Sequence, residues 1–127
     1  MKKLKLFSLL FISTILFVNC SNDDDAMQEL IVDVPTATSN TKTYNLSSVA
    51  DPNISGTVTV TEFSDNSIQL DLNLQNTPSD GVHPAHVHFN TAAEGGDIAI
   101  SLEAIDGNTG KSSTNFKTLD NGTAISY

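Results

Sequence analysis

Residues 54–75 contain the strongest folding constraint in the chain. Ile54, Gly56, Val58 and Val60 alternate with Ser55, Thr57, Thr59 and Thr61. A second run follows, in which Ile68, Leu70, Leu72 and Leu74 alternate with Gln69, Asp71, Asn73 and Gln75. Strand side chains project to opposite faces with a period of two, so each run has one apolar and one polar face. The intervening Ser64-Asp65-Asn66 has turn chemistry, and together the two runs predict a β-hairpin over residues 54–63 and 67–75. A hairpin with one apolar face needs more sheet to cover it.

The remainder of the chain offers further short strands. Residues 41–46 alternate weakly, with Tyr44 and Leu46 expected inward. Residues 97–105 place Ile98, Ile100 and Leu102 inward, and a strand is expected around residues 113–116. Residues 123–127 begin another strand with no room to finish, and residues 30–34 could form a short extended segment. Asp106-Gly107-Asn108-Thr109-Gly110 and Asp120-Asn121-Gly122 are turn clusters. No helical period is sustained outside the N-terminal segment. The pattern predicts an all-β fold, an antiparallel Greek-key sandwich or barrel, in one domain over residues 41–127. That domain is small for the architecture, and the expectation is that C-terminal strands are missing and the chain is a truncated copy.

The N-terminus reads as a targeting segment. Lys2, Lys3 and Lys5 precede an apolar run over residues 6–18, which is short for a membrane span and has the proportions of a signal peptide. Cys20 is the only cysteine, so it has no internal disulfide partner. Leu16-Phe17-Val18-Asn19-Cys20 resembles a bacterial lipobox, with Asn19 where a small residue is usual. The resemblance implies cleavage after residue 19 and lipidation of Cys20, with residues 20–40 as an acidic and polar tether. Ser21-Asn22-Asp23-Asp24-Asp25 also resembles the acidic export signal of surface lipoproteins in Bacteroidetes-type bacteria. An outer-membrane lipoprotein exposed at the cell surface is therefore expected, with a periplasm-facing one as the alternative.

After cleavage the chain retains Lys42, Lys111 and Lys117 against 15 acidic residues, and it has no arginine. That balance disfavours nucleic acid and anionic lipid as partners. The membrane enters through the lipid anchor, and the further partner expected is a protein or a glycan at the cell surface.

All three histidines fall in Gly81-Val82-His83-Pro84-Ala85-His86-Val87-His88-Phe89. On a strand over residues 85–89, His86 and His88 share one face, while Ala85, Val87 and Phe89 share the other. Neutral imidazole suits copper(II), zinc and nickel. A site needs more than two ligands, and the candidates for a third are His83, if Pro84 turns it back, and Glu94 or Asp97, if the loop folds over. Copper(II) is the better fit, because tetragonal coordination accepts water at open positions. The alternative is that His86 and His88 are polar residues on the wet face of a strand and hold down a neighbouring loop. No G-x-S-x-G elbow is present, and nothing in the sequence places a serine beside the histidines.

Ser55-Gly56-Thr57-Val58-Thr59-Val60, the second hairpin strand and His83-Pro84-Ala85-His86-Val87-His88 together resemble a CHRD domain over residues 44–113. The resemblance implies an exported, lipidated β domain that is a non-enzymatic binding or interaction module. The Asn-x-His strand and later glycine-rich strand usual in that family are absent. The same histidine spacing is similar to Cu/Zn superoxide dismutase, in which His86 and His88 would correspond to copper ligands and His83 to a structural histidine. No histidine follows His88, and there is neither an intradomain cysteine pair nor an arginine. Superoxide dismutase activity is not expected, and the likeness is one of architecture.

Overall fold

The computed structural model describes residues 31–127, of which Asp33–Tyr127 form one compact unit. The expected signal peptide, Cys20 and the first part of the tether lie outside the described residues. The described chain is all-β. It contains β1 (Ala37–Ser47), β2 (Ser55–Phe63), β3 (Ile68–Gln75), β4 (Val82–His88), β5 (Ile98–Asp106) and β6 (Lys111–Phe116), all antiparallel in one sheet of order β1-β2-β3-β6-β5-β4.

The β2–β3 hairpin forms as the alternation requires, with Val58 opposite Leu72 and Val60 opposite Leu70. Asn66 takes a positive φ of 61° in its turn, and Asn tolerates that conformation because its short polar side chain bonds locally. β6 returns beside β3 after the β4–β5 hairpin has formed, which is a Greek-key connection. β1 and β4 are the two edges of the sheet and are not paired with one another.

β1 begins at Ala37, so the sheet starts earlier than the expected residue 41, and a register irregularity lies between Ala37 and Thr41. Tyr44 is 47% exposed rather than inward. Its position on an edge strand leaves one side uncovered, and the Lys42 ammonium stands 5.2 Å from its ring centroid. Residues 31–36 have no regular structure, and Thr118 and Ala124 form a single bridge where residues 123–127 were expected to start a strand.

Among the described residues the buried hydrophobic side chains are Ile68, Leu70, Ala99, Ile100 and Ile105. They lie on β3, one of the two central strands, and on β5, the neighbour of edge strand β4. Leu46, Val58, Leu72, Leu74, Val87 and Leu102 are half-buried. Such a small core makes each of its members count heavily.

β5 does not follow β6 along its length. Backbone pairing with β6 is recorded only at Asp106 and Lys111. Further along, side chains take over the ladder. Thr114 Oγ1 accepts from Glu103 N–H at 2.8 Å, and Ser112 Oγ donates to the Glu103 carbonyl. The chain beyond β6 completes this edge, with Asp120 N–H donating to the Ala99 carbonyl and the Asp120 carboxylate accepting from Ser101 N–H. Half-buried Ser112 and Thr114 are thus satisfied, as buried or partly buried polar groups must be.

Candidate functional site

β4 carries the histidines along one edge of the sheet. It runs from Val82 through Pro84 to His88, longer than the expected residues 85–89. Proline is tolerated because β4 is an edge strand. The alternation persists across Pro84, and it places His83, Ala85 and Val87 on the half-buried face and Val82, Pro84, His86 and His88 on the exposed one.

His83 is therefore not a third partner for the other two. Its Nε2–H donates to the Pro78 carbonyl at 3.1 Å, since a carbonyl can only accept. The ring lies over Gly81 and Gly107, where a Cβ would approach it to 3.1 Å and 3.0 Å respectively. The same region ties the β3–β4 crossover to the β5–β6 turn. Gly107 N–H donates to Gly81 O at 2.8 Å, Thr77 Oγ1 donates to Gly107 O at 2.8 Å, and Asp80 N–H donates to Asn108 Oδ1 at 3.2 Å. His83 is a packing residue at this junction.

His86 and His88 do share a face, with ring centroids 6.1 Å apart in an edge-on arrangement. His88 Nδ1–H donates to Gly96 O at 2.8 Å, so Nε2 is the ring nitrogen not engaged in this bond. His88 thus holds down the loop between β4 and β5. Phe89 N–H closes the same loop by donating to Asp97 O at 3.2 Å. Phe89, expected in the core, is 56% exposed. The ladder shifts between Val87 and His88, because Ile98 and Ile100 oppose consecutive residues of β4 and Ala99 is an extra residue. Phe89 lies just past that shift, while Ala99 turns inward.

The loop carboxylates do not complete a metal site. Glu94 Oε2 accepts from Thr91 Oγ1 at 2.8 Å and from Thr91 N–H at 3.3 Å, and these bonds lower its pKa. Among the described residues no group of three His, Cys, Asp or Glu side chains is placed to hold one ion.

Asp120 is a neighbour of the histidine strand that no motif in the sequence marks. Ser101 pairs with His86 across the β4–β5 ladder, and the Asp120 carboxylate accepts from Ser101 Oγ at 2.7 Å. Hydrogen bonds from the Ser101 hydroxyl and N–H hold the Asp120 pKa down, and the nearby His86 charge adds to this. Asp120 engages serine rather than imidazole, so the group lacks the order of a nucleophilic triad, in which the imidazole stands between the two.

The histidine strand forms one wall of an open cleft of about 670 Å³. Leu46 of β1, Val58 of β2, and Leu70, Leu72 and Leu74 of β3 line it opposite Ala85 and Val87 of β4 and Leu102 and Ile105 of β5. His86, His88, Asn90 and Thr91 contribute polar groups. These residues come from five of the six strands. An apolar lining with a few polar groups suits a non-covalent ligand.

The chain matches no family model, and no curated protein or solved structure matches it significantly.

Proposed function

We propose that the chain is a membrane-anchored extracytoplasmic lipoprotein whose CHRD-like β domain is a non-enzymatic binding module. Lipidation of Cys20 would attach it to the outer membrane, exposed at the cell surface. The observation that carries the binding role is the open apolar cleft between β1–β3 and the histidine strand. Its leucine and valine side chains give a complementary ligand apolar burial worth about 25 cal/mol per Å². The groups around it bind and orient rather than cleave.

The test is titration of residues 33–127 with Nile red, an apolar dye. Saturable one-to-one binding, weakened at least tenfold in a Leu46→Gln/Val87→Gln variant that keeps the wild-type circular dichroism spectrum, supports the reading. Binding that is unsaturable, or equal in both proteins, contradicts it.

A second reading is copper(II) binding through His86 and His88. The His88 Nδ1–H bond to Gly96 O favours it, because a ligating imidazole commonly donates its other nitrogen to a carbonyl. Water would fill the remaining positions. Copper(II) electron paramagnetic resonance checks it. A saturable one-equivalent signal with nitrogen hyperfine structure, lost in His86→Ala/His88→Ala, supports this reading, and an identical weak signal from both proteins removes it.

A further inference from the structure

The other side of the β1–β2–β3–β6 layer bears a second arrangement of polar groups. Strand register sets Asn45, Thr57, Asn73 and Lys111 in one row, with Thr43, Thr59, Asp71 and Ser113 beside it. In the second row the groups bind each other. Thr43 and Thr59 hydroxyls are 3.0 Å apart, and Asp71 accepts from Ser113 Oγ at 2.7 Å and from Gln69 Nε2 at 2.9 Å. The side chains of Asn45, Thr57 and Asn73, with those of Ser55 and Gln75 next to them, make no hydrogen bond to other described residues.

Those five side chains, with Leu46 and Gly56, line a shallow depression of about 320 Å³. An adjoining depression of about 510 Å³ shares Asn73 and continues past Asp71, Ser113 and Lys111. The unused hydrogen-bonding capacity of this face is therefore gathered in two adjoining depressions that meet at Asn73 and together make a groove crossing four strands.

We propose that this groove binds a neutral oligosaccharide. A side-chain amide offers donors and an acceptor together, and a hydroxyl offers both on one atom. That combination matches the neighbouring hydroxyls of a sugar ring, each of which also donates and accepts. Charge selects the class further. The formal net charge is −9, yet this groove holds one lysine and one carboxylate whose oxygens are already bonded. Anionic polymers and a second copy of the chain are repelled by the protein as a whole, whereas a neutral glycan is not. Neighbouring strands stand about 4.8 Å apart, so the four-residue row spans roughly 14 Å, enough for several sugar rings. The polar row faces away from the apolar cleft, and only the backbone-flanking Leu46 and Leu72 line both.

The experiment is a printed array of neutral and acidic hexasaccharides probed with the full-length lipoprotein in detergent micelles. Asn45→Ala/Asn73→Ala, Thr57→Val and His86→Ala/His88→Ala variants are run beside it, with circular dichroism as the folding check. The expected result is retention of at least one neutral hexasaccharide above every acidic one. Apparent affinity should fall about tenfold in Asn45→Ala/Asn73→Ala, fall in the near-isosteric Thr57→Val, and stay unchanged in the histidine variant. If the amide variant does not fold, Thr57→Val decides alone. No neutral binding, binding indifferent to Asn45, Asn73 and Thr57, or binding lost only in the histidine variant would overturn the proposal. Because the cleft is tested separately by Nile red, failure here leaves that reading standing.

Discussion

The Asp120 carboxylate caps the edge of β5 at Ser101, accepting the Ser101 hydroxyl at 2.7 Å and its backbone N–H at 3.0 Å. The backbone bond from Asp120 N–H to Ala99 O seals the same edge of β5 at 2.9 Å. Ser101 is in turn the ladder partner of His86. Packing of the C-terminal chain and charge at the histidine strand therefore meet at one carboxylate.

A carboxyl titration by nuclear magnetic resonance checks this coupling. The Asp120 pKa should rise in Ser101→Ala, which removes the larger cause, and rise less in His86→Ala. A depressed folded pKa adds stability above the ordinary value near 3.8, and that contribution is lost as pH falls through the folded value. The Asp120→Asn variant should show a shallower loss of stability in acid than the wild type. An unchanged acid limb would count against the arrangement.

Asp65 should dominate the lower part of that limb. Its bonds from Ser67, foremost the hydroxyl at 2.7 Å, and Lys117 at 2.9 Å take its pKa down to about 2. By the same sign, its contribution is present above about pH 4 and disappears toward pH 2. Chemical denaturation at pH 6 and pH 2.5 should show a smaller difference for Asp65→Asn than for the wild type.

Gly107 offers a steric test of the His83 junction. A Cβ there would overlap the Pro78 carbonyl and press on the Gly81 carbonyl and the His83 ring. Gly107→Ala should destabilise by about 1–3 kcal/mol through overpacking. His83→Ala should cost less, about 0.5–1.5 kcal/mol for the hydrogen bond to Pro78 together with some lost packing. Urea denaturation of both variants gives the comparison, and equal stability of wild type and Gly107→Ala would contradict the packing role.

In so small a core, Leu70→Ala should be among the most damaging single changes. Leu70 is 8% exposed on β3 and pairs with Val60. A loss of about 2–5 kcal/mol is expected, a large share of the stability of a domain this size. Thermal unfolding followed by circular dichroism measures it.

Metabolic labelling with an alkyne palmitate analogue tests the anchor. Label is expected on the wild type and absent from Cys20→Ser, with the variant released from the membrane fraction. Equal labelling of both proteins would remove Cys20 as the attachment point.

Much of the sheet could be read in advance, because β2 and β3 repeat an apolar–polar alternation without interruption. The departures occur where that period breaks. Opposite His83 and Ala85 the ladder steps from Ile105 to Leu102, which brings Ile105 inward in place of Ala104, and the second step near Ala99 turns Phe89 outward. A single residue of slip moves side chains to the other face, and no local signal announces it. The pairing of His86 with His88 was legible from their spacing of two. That same period separates His83 from them, and Pro84 does not undo it because it sits on an edge strand. Asp120 was hidden, since its contact with Ser101 joins residues 19 apart through a side chain replacing a ladder bond. Polar Ser112 and Thr114 at inward positions of β6 were the available hint that β5 would be met by side chains.

The apolar cleft is tested most directly by intermolecular nuclear Overhauser contacts between dodecanol and the methyl groups of residues 33–127. Contacts concentrated on Leu46, Val58, Leu72, Leu74 and Val87, saturating at one equivalent, are predicted. Contacts that are absent, or that fall mainly on exposed Val49 and Val82 without saturating, would contradict a binding role for the cleft beside the histidine strand.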